Sequence, residues 1–285
     1  FKINLSTKDE FGRLAGAFNR MSENLQFAQK QIIVKELMER DFKMAQEIQN
    51  ALFIKEVPAS EILDITPFYE AARMIGGDYY DIMTRDDKKT VLVADVSGKG
   101  IPGSLIMVML RSLIRAQYYG EDNLRDLIMK VNHLLMQDIQ PGKFVTLLIA
   151  DFHEKTETVS IINAGHIPLY KYIAKEDRVE ELVPSGLGLG LNDGVIFDQN
   201  LDLGEDKMAP GDIYLFCTDG ATEAMNPNKD QFGEERLANA LKQYKDQGSK
   251  EIVENIRKDI KSFLAGEEFN DDFTLVVVKR NNKEV

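Results

Sequence analysis

Apolar and small residues recur at Phe11, Leu14, Phe18, Met21, Leu25, Ala28 and Ile32, in steps that alternate three and four. That alternation is the seam of a coiled coil, and it predicts a long helix whose apolar edge meets a second chain. The seam then slips: Ile33, Leu37, Met44, Ile48 and Leu52 continue it in a shifted phase, as a stutter does. No proline interrupts residues 1–57, and Pro58 is expected to end the helix. A single amphipathic helix lying on its own globular domain is the other reading of the same spacing.

Beyond Pro58 the pattern changes to strands. β-rich runs at 62–71, 79–84 and 90–96 lead into two helical patterns, 103–118 and 123–138. Further strands are expected at 144–152, 159–163, 169–173 and 213–217, then helices near 234–244 and 250–264, and a last strand at 273–279. Blocks of strands and helices in this order predict α+β rather than alternating βαβ, with packed antiparallel sheets flanked by helix pairs. No internal repeat stands out.

Composition narrows the function classes. The 285 residues carry 47 acidic against 35 basic side chains, a net charge of −12, which argues against nucleic-acid binding. One cysteine, Cys217, excludes a disulfide framework and a thiolate zinc site. No apolar run reaches the roughly 18–20 residues a membrane span needs; the most apolar stretch, 101–114, is interrupted by Arg111. The chain opens at Phe1 without an initiator Met, so membrane attachment upstream of residue 1 stays open.

The candidate chemistry lies in four acidic clusters beside glycine or at strand ends. They are Gly76-Gly77-Asp78-Tyr79-Tyr80-Asp81, Asp95-Val96-Ser97-Gly98-Lys99-Gly100, Thr218-Asp219-Gly220 and Asn270-Asp271-Asp272-Phe273-Thr274. Carboxylates placed where strands begin or end can converge at one end of a sheet stack, and glycine lets backbone approach an ion or phosphate closely. Clusters of carboxylates without His or Cys suit hard divalent ions, Mg²⁺ or Mn²⁺. Any single Asp-Gly reads equally as an ordinary turn; four at strand termini do not.

With Asn163-Ala164-Gly165-His166 between the second and third clusters, this ordered set resembles the metal-dependent protein phosphatase family, in particular its bacterial SpoIIE/RsbU-type branch. The resemblance covers about 200 residues, from Gly76 to Thr274. It implies two packed antiparallel β-sheets flanked by helices, with a centre of two Mn²⁺ or Mg²⁺ ions between the sheets. It further implies that Asp95 bridges both ions, that Asp219 and Asp271 complete the first, and that Asp78 and the Val96 carbonyl serve the second. A metal-activated water then removes phosphate from Ser or Thr of a partner protein, which in this branch is an anti-sigma-factor antagonist.

Several positions depart from that family pattern or lie beside it. Ser97 stands where wider family members place a catalytic His, and it is a poor acid at neutral pH. His166 reads as a structural turn residue. Arg73, five residues before Asp78, is a candidate phosphate contact through its guanidinium fork. Asp81 and Asp272 are candidate supporting groups. The glycine-rich 185–191 segment lacks the strand-to-helix setting of a dinucleotide fingerprint and reads as a flexible loop near the site.

Asp9-Glu10-Phe11-Gly12-Arg13-Leu14 and Phe18-Asn19-Arg20-Met21 resemble the closing helix of a HAMP signalling module. The implied organisation is a HAMP end at 1–25, a signalling coiled-coil linker at 26–57 and a phosphatase domain at 58–285. It also implies a homodimer through the N-terminal helix and a cytoplasmic domain of an inner-membrane sensor. Two competing readings fail on particular residues. The Gly76-Gly77-Asp78 run is not a diguanylate-cyclase signature, because Tyr79 replaces its catalytic Glu and the run opens the domain. A catalytically silent scaffold predicts loss of at least one metal carboxylate, and Asp78, Asp95, Asp219 and Asp271 are all present.

Overall fold

A computed structural model describes residues 2, 7 and 9–282. The opening of the expected HAMP-like segment, including Leu5, and the last three residues of the domain expected at 58–285 lie outside the described residues. The chain divides into two compact units, Phe1–Ile48 and Gln49–Val285.

Helix α1 (Glu10–Leu52) is a single run of 43 residues, about 65 Å long at 1.5 Å per residue. Asp9 starts it: its Oδ1 accepts the Gly12 N–H at 3.1 Å and the Thr7 hydroxyl at 2.6 Å, which satisfies one free donor of the first turn. Phe11, Leu14, Phe18, Met21, Leu25, Ile32, Ile33, Leu37, Met44 and Ile48 are all exposed. The apolar residues on both sides of the slip are therefore exposed along α1.

The helix stops at Leu52, six residues before the proline expected to end it. Arg111 Nε donates to the Leu52 carbonyl at 2.8 Å, and Phe53 stacks on Tyr80 with ring centroids 5.0 Å apart and lies 4.8 Å from the Tyr69 ring. Aromatic docking, rather than the proline ring, turns the chain out of the helix.

The larger unit is built from ten strands and six further helices among the described residues. They follow as β1 (Leu63–Glu70), β2 (Tyr79–Arg85), β3 (Lys88–Val96), α2 (Ile101–Tyr118), α3 (Leu124–Asp138), β4 (Val145–His153), β5 (Thr158–Ala164), β6 (Leu169–Ile173) and β7 (Arg178–Leu182). Then come α4 (Val195–Gln199), β8 (Gly204–Lys207), β9 (Ile213–Cys217), α5 (Asp219–Thr222), α6 (Gly233–Gln243), α7 (Ser249–Leu264) and β10 (Phe273–Arg280). Two five-stranded sheets form, in the orders β1-β10-β9-β6-β7 and β2-β3-β4-β5-β8, with every pairing antiparallel.

Alternation along the strands sets the layers. Val91 and Val93 join Leu148, Ala150, Tyr214, Phe216, Val276 and Val278 in the core between the sheets. Their neighbours Leu92 and Ala94 turn outward onto Met107, Leu110, Leu127 and Val131 of α2 and α3. On the other sheet, Leu215, Leu275 and Val277 pack on Leu237, Leu241, Ile252 and Ile256 of α6 and α7. Central strands buried on both faces therefore read as continuous apolar runs. The edge strands β7 and β8 carry Arg178, Glu180, Glu181, Glu205, Asp206 and Lys207. Charge of that kind protects a sheet edge and hides it from a hydrophobic pattern, so neither strand is foreseen in the sequence.

Candidate active site

The sandwich fold brings the four acidic clusters together where β2, β3, β9 and β10 begin or end. Asp78 enters β2 and is almost fully buried. Its Oδ2 accepts the Thr218 hydroxyl at 2.7 Å and the Thr274 hydroxyl at 2.5 Å. A carboxylate opening one sheet is thus fixed by hydroxyls at the strand ends of the other. Asp95, in β3, lies close enough to Asp78, Asp219, Asp271 and Asp272 for their charges to act on one another. Asp219 follows β9, and Asp271 precedes β10.

Asp272 locks the Gly-Gly-Asp turn. Its Oδ1 accepts the Ala72 N–H at 2.9 Å, and its Oδ2 accepts the Gly77 N–H at 2.6 Å and the Asp78 N–H at 3.4 Å. Glycine is required beside it at two places: a Cβ at Gly76 would overlap the Tyr69 hydroxyl and the Asp272 carboxylate, and a Cβ at Gly220 would overlap the Asp272 carbonyl. Gly77 lies against the Val96 carbonyl, 3.2 Å from where a Cβ would stand. The expected second-site pair, Asp78 and Val96, is therefore adjacent.

The electrostatics show what the cluster lacks. Burial first, then the charges of Asp219, Asp271 and Asp272, push the Asp95 carboxyl up to about 7. Burial, with Asp95 and Asp272 nearby, holds Asp78 well above the usual carboxylate range, although its two threonine donors oppose the shift. Asp219 is raised by burial and by Asp271. Like charges gathered out of water disfavour ionisation until a cation joins them.

The only cation on these carboxylates in the ion pairs of the described residues is Lys99, whose Nζ is 2.6 Å from Asp271 Oδ2 and 2.8 Å from the Asn270 carbonyl. Among the described residues no three carboxylate, imidazole or thiolate groups already close on one point as a formed metal cage. The donor set of hard oxygens, its uncompensated repulsion and an ammonium standing on Asp271 fit a divalent cation. Lys99, Thr218 and Thr274 stand within the acidic clusters of the sequence, but nothing there gives them a role. A lysine between two glycines beside an acidic strand end is the one local signal that could have flagged the first.

The remaining candidates separate cleanly. Arg73 is exposed on the turn between β1 and β2, next to the Ala72 that Asp272 anchors. Ser97 uses its hydroxyl to accept the Phe144 N–H at 2.8 Å, which pins the loop after β3. His166 is buried, accepts the Thr146 hydroxyl on Nδ1 at 2.7 Å and donates Nε2–H to the Cys217 carbonyl at 2.9 Å. Thr146 pairs with Asp95 and Cys217 precedes the Asp219 cluster, so the ring braces both sheets behind the site. Burial holds its pKa down to about 4.

Asp81 points elsewhere, to a bidentate contact with Arg115 at 2.7 and 2.8 Å. His133 faces Asp193 at the surface, apart from these groups. The 185–191 segment is packed rather than loose: Leu189 is fully buried and exchanges two backbone bonds with Val145. Gln49, near the end of α1, is buried and holds the Gly76 peptide, donating to its carbonyl at 2.8 Å and accepting its N–H at 3.3 Å.

Comparison with known proteins agrees with this fold. The family described as Stage II sporulation protein E (SpoIIE) matches residues 85–281, and the HAMP domain matches residues 2–27. Phosphoserine phosphatase RsbU of Bacillus subtilis is 28% identical over 258 residues, covering 87% of this chain and 72% of that protein. Protein IcfG of Synechocystis is 25% identical over 313 residues, and the chain spans about half (48%) of its length. The solved SiaA-PP2C domain of Pseudomonas aeruginosa shares the fold with a TM-score of 0.75 at 18% identity, over 87% of this chain and 98% of that one.

Proposed function

The chain belongs to the SpoIIE family, and on that premise we propose that it is a metal-dependent phosphatase of phospho-Ser or phospho-Thr in a partner protein of a signalling pathway. The observation that carries the reading is the gathering of Asp78, Asp95, Asp219 and Asp271, from four separated clusters, at one end of the two sheets. Asp95 would bridge two ions, Mn²⁺ or Mg²⁺, with Asp219 and Asp271 on the first and Asp78 and the Val96 carbonyl on the second. Bound there, such ions would supply an activated water for attack on phosphorus and would neutralise the phosphoryl oxygens.

The chain's own residues supply the positioning. Thr218 and Thr274 fix Asp78, and Asp272 fixes the backbone that carries it. Neither Ser97 nor His166 suits the protonation of the leaving oxygen: a serine hydroxyl is a poor acid at neutral pH, and the His166 Nε2–H is committed to the Cys217 carbonyl. Arg73, exposed beside the anchored turn, is the proposed contact for a substrate phosphate.

The proposed substrate is a phosphorylated anti-sigma-factor antagonist, the substrate class of the branch this chain resembles. The proposed organisation is a HAMP end at 1–25, a linker helix at 26–57 and the phosphatase at 58–285, dimerised along the exposed seam of α1 and attached to a membrane upstream. No helix among the described residues is long and apolar enough to cross a membrane itself. Gln49 gives the linker a direct hold on the Gly76 peptide, two residues from Asp78.

Specificity then lies in surface contacts beyond the carboxylates. With Mn²⁺ present, kcat/KM is expected to be far higher for the phosphorylated antagonist than for free phosphoserine. Comparable values for the two would point to a small-molecule phosphatase instead.

A further inference from the structure

We propose that the Lys99 ammonium is a built-in counter-ion of the site, which holds Asp271 in the metal-free protein and is displaced when a divalent cation takes that carboxylate. The inference rests on the reading of Asp271 as a metal ligand. Lys99 lies between Gly98 and Gly100 on the loop from β3 to α2, and its Nζ reaches both Asp271 Oδ2 and the Asn270 carbonyl ahead of β10. One side chain thus ties a loop of one sheet to the entry of a strand in the other, beside the gathered carboxylates. Its charge also acts on Asp219.

The loop that carries Lys99 is held by its backbone, whereas the side chain is held only at its Nζ. Ser97 exchanges two bonds with Phe144, N–H to carbonyl at 2.9 Å and hydroxyl from N–H at 2.8 Å. Gly103 lies so close under the Gly98 carbonyl that a Cβ there would overlap it. Lys99 itself keeps 44% of its side-chain surface in solvent, and Asp271 keeps 32%. Rotation of the four-carbon stem alone therefore frees Asp271, with no movement of the backbone. A divalent ion brings twice the charge and engages several carboxylates where the ammonium engages one. It wins the exchange, but its apparent affinity is lowered by whatever the lysine contact was worth.

The test is equilibrium binding of Mn²⁺ to the full chain, read by electron paramagnetic resonance of the free ion and by calorimetry, with no substrate present. Lys99→Met removes the competitor and is expected to tighten Mn²⁺ binding about two- to fivefold, the range for a partly solvated ion pair. Lys99→Arg keeps a cation in place and should bind close to wild type. In metal-free buffer Lys99→Met should melt below wild type, because Asp271 loses its ammonium partner. Lys99→Gln carries the same expectations should the methionine variant not fold. Binding by the neutral variants equal to or weaker than wild type overturns the proposal. A wild-type protein that binds no Mn²⁺ overturns the metal-site reading itself, and this inference with it.

Discussion

Along α1 the apolar seam faces solvent, with Phe11, Leu14, Met21, Leu25 and Ile32 all more than half exposed. At the acidic end of the sandwich the opposite holds: Asp78 is buried, and Asp95 and Asp219 are half-buried among like charges. The helix leaves its apolar seam exposed, and the cluster sets only the Lys99 ammonium, among the ion pairs of the described residues, against several carboxylates. Each region specifies its missing partner by chemistry. A second apolar helix would gain about 25 cal/mol for every Å² it covers, and a divalent cation would relieve the carboxylate repulsion. A regular helix advertises its need in the sequence period, whereas the cluster exists only once the chain has folded.

The contrast is broken most severely at Asp95, which faces every other carboxylate of the site. Asp95→Asn is expected to lower phosphate release about a thousandfold, or about 4 kcal/mol of barrier, at saturating Mn²⁺. Undiminished turnover in that variant would remove the site assignment.

His166 offers a control at the same end of the fold, a titratable group buried without charge. Its imidazole stays neutral in the fold down to about pH 4, against 6.5 as the ordinary value. The unfolded chain therefore binds more protons between those values, and stability falls as pH drops from 6.5 to 4. The full loss is about 3 kcal/mol. Denaturant titrations across that window should show a shallower fall in His166→Asn than in wild type, and parallel curves would remove the buried neutral ring from the account.

Asp272 sharpens the comparison, since it adds negative charge yet holds the turn through N–H donors. Asp272→Asn puts an amide where carboxylate oxygens accept from Ala72 and Gly77. Hydrogen bonds to a charged group are worth about 1.5–3 kcal/mol, so Mn²⁺ affinity is expected to fall about tenfold or more. Calorimetry that shows tighter binding would mean that repulsion outweighs positioning.

The smallest effect is expected in the helix. Leu25→Asp combined with Ile32→Asp should give monomers in sedimentation, with turnover reduced several-fold on the same preparation. A dimer that survives both charges would refute the seam as the interface. Monomers with unchanged turnover would refute its coupling to the site.

How much of this was legible in the sequence differs by region for physical reasons. The seam follows from local period, and the strands that carry Asp95 and lead to Asp219 follow from apolar runs with acid at or just past their ends. The helix end at Leu52 was not legible, because Phe53 docks on Tyr80 and Tyr69, aromatic residues of later strands. Thr218 and Thr274 were missed because their bonds to Asp78 span 140 and 196 residues of chain. No local pattern marks a hydroxyl whose partner is that distant. Lys99 resembled any solvated loop lysine until the fold set it on Asp271. The edge strands β7 and β8 were hidden by their own charge.

The central claim is that these carboxylates act only with a divalent cation. The direct measurement is phosphate release from a phosphoserine-bearing partner protein by chelator-stripped enzyme as Mn²⁺ is added back. The account predicts no turnover above background without metal and full recovery as Mn²⁺ saturates. Turnover that persists in the stripped enzyme, unchanged by added Mn²⁺, would contradict it.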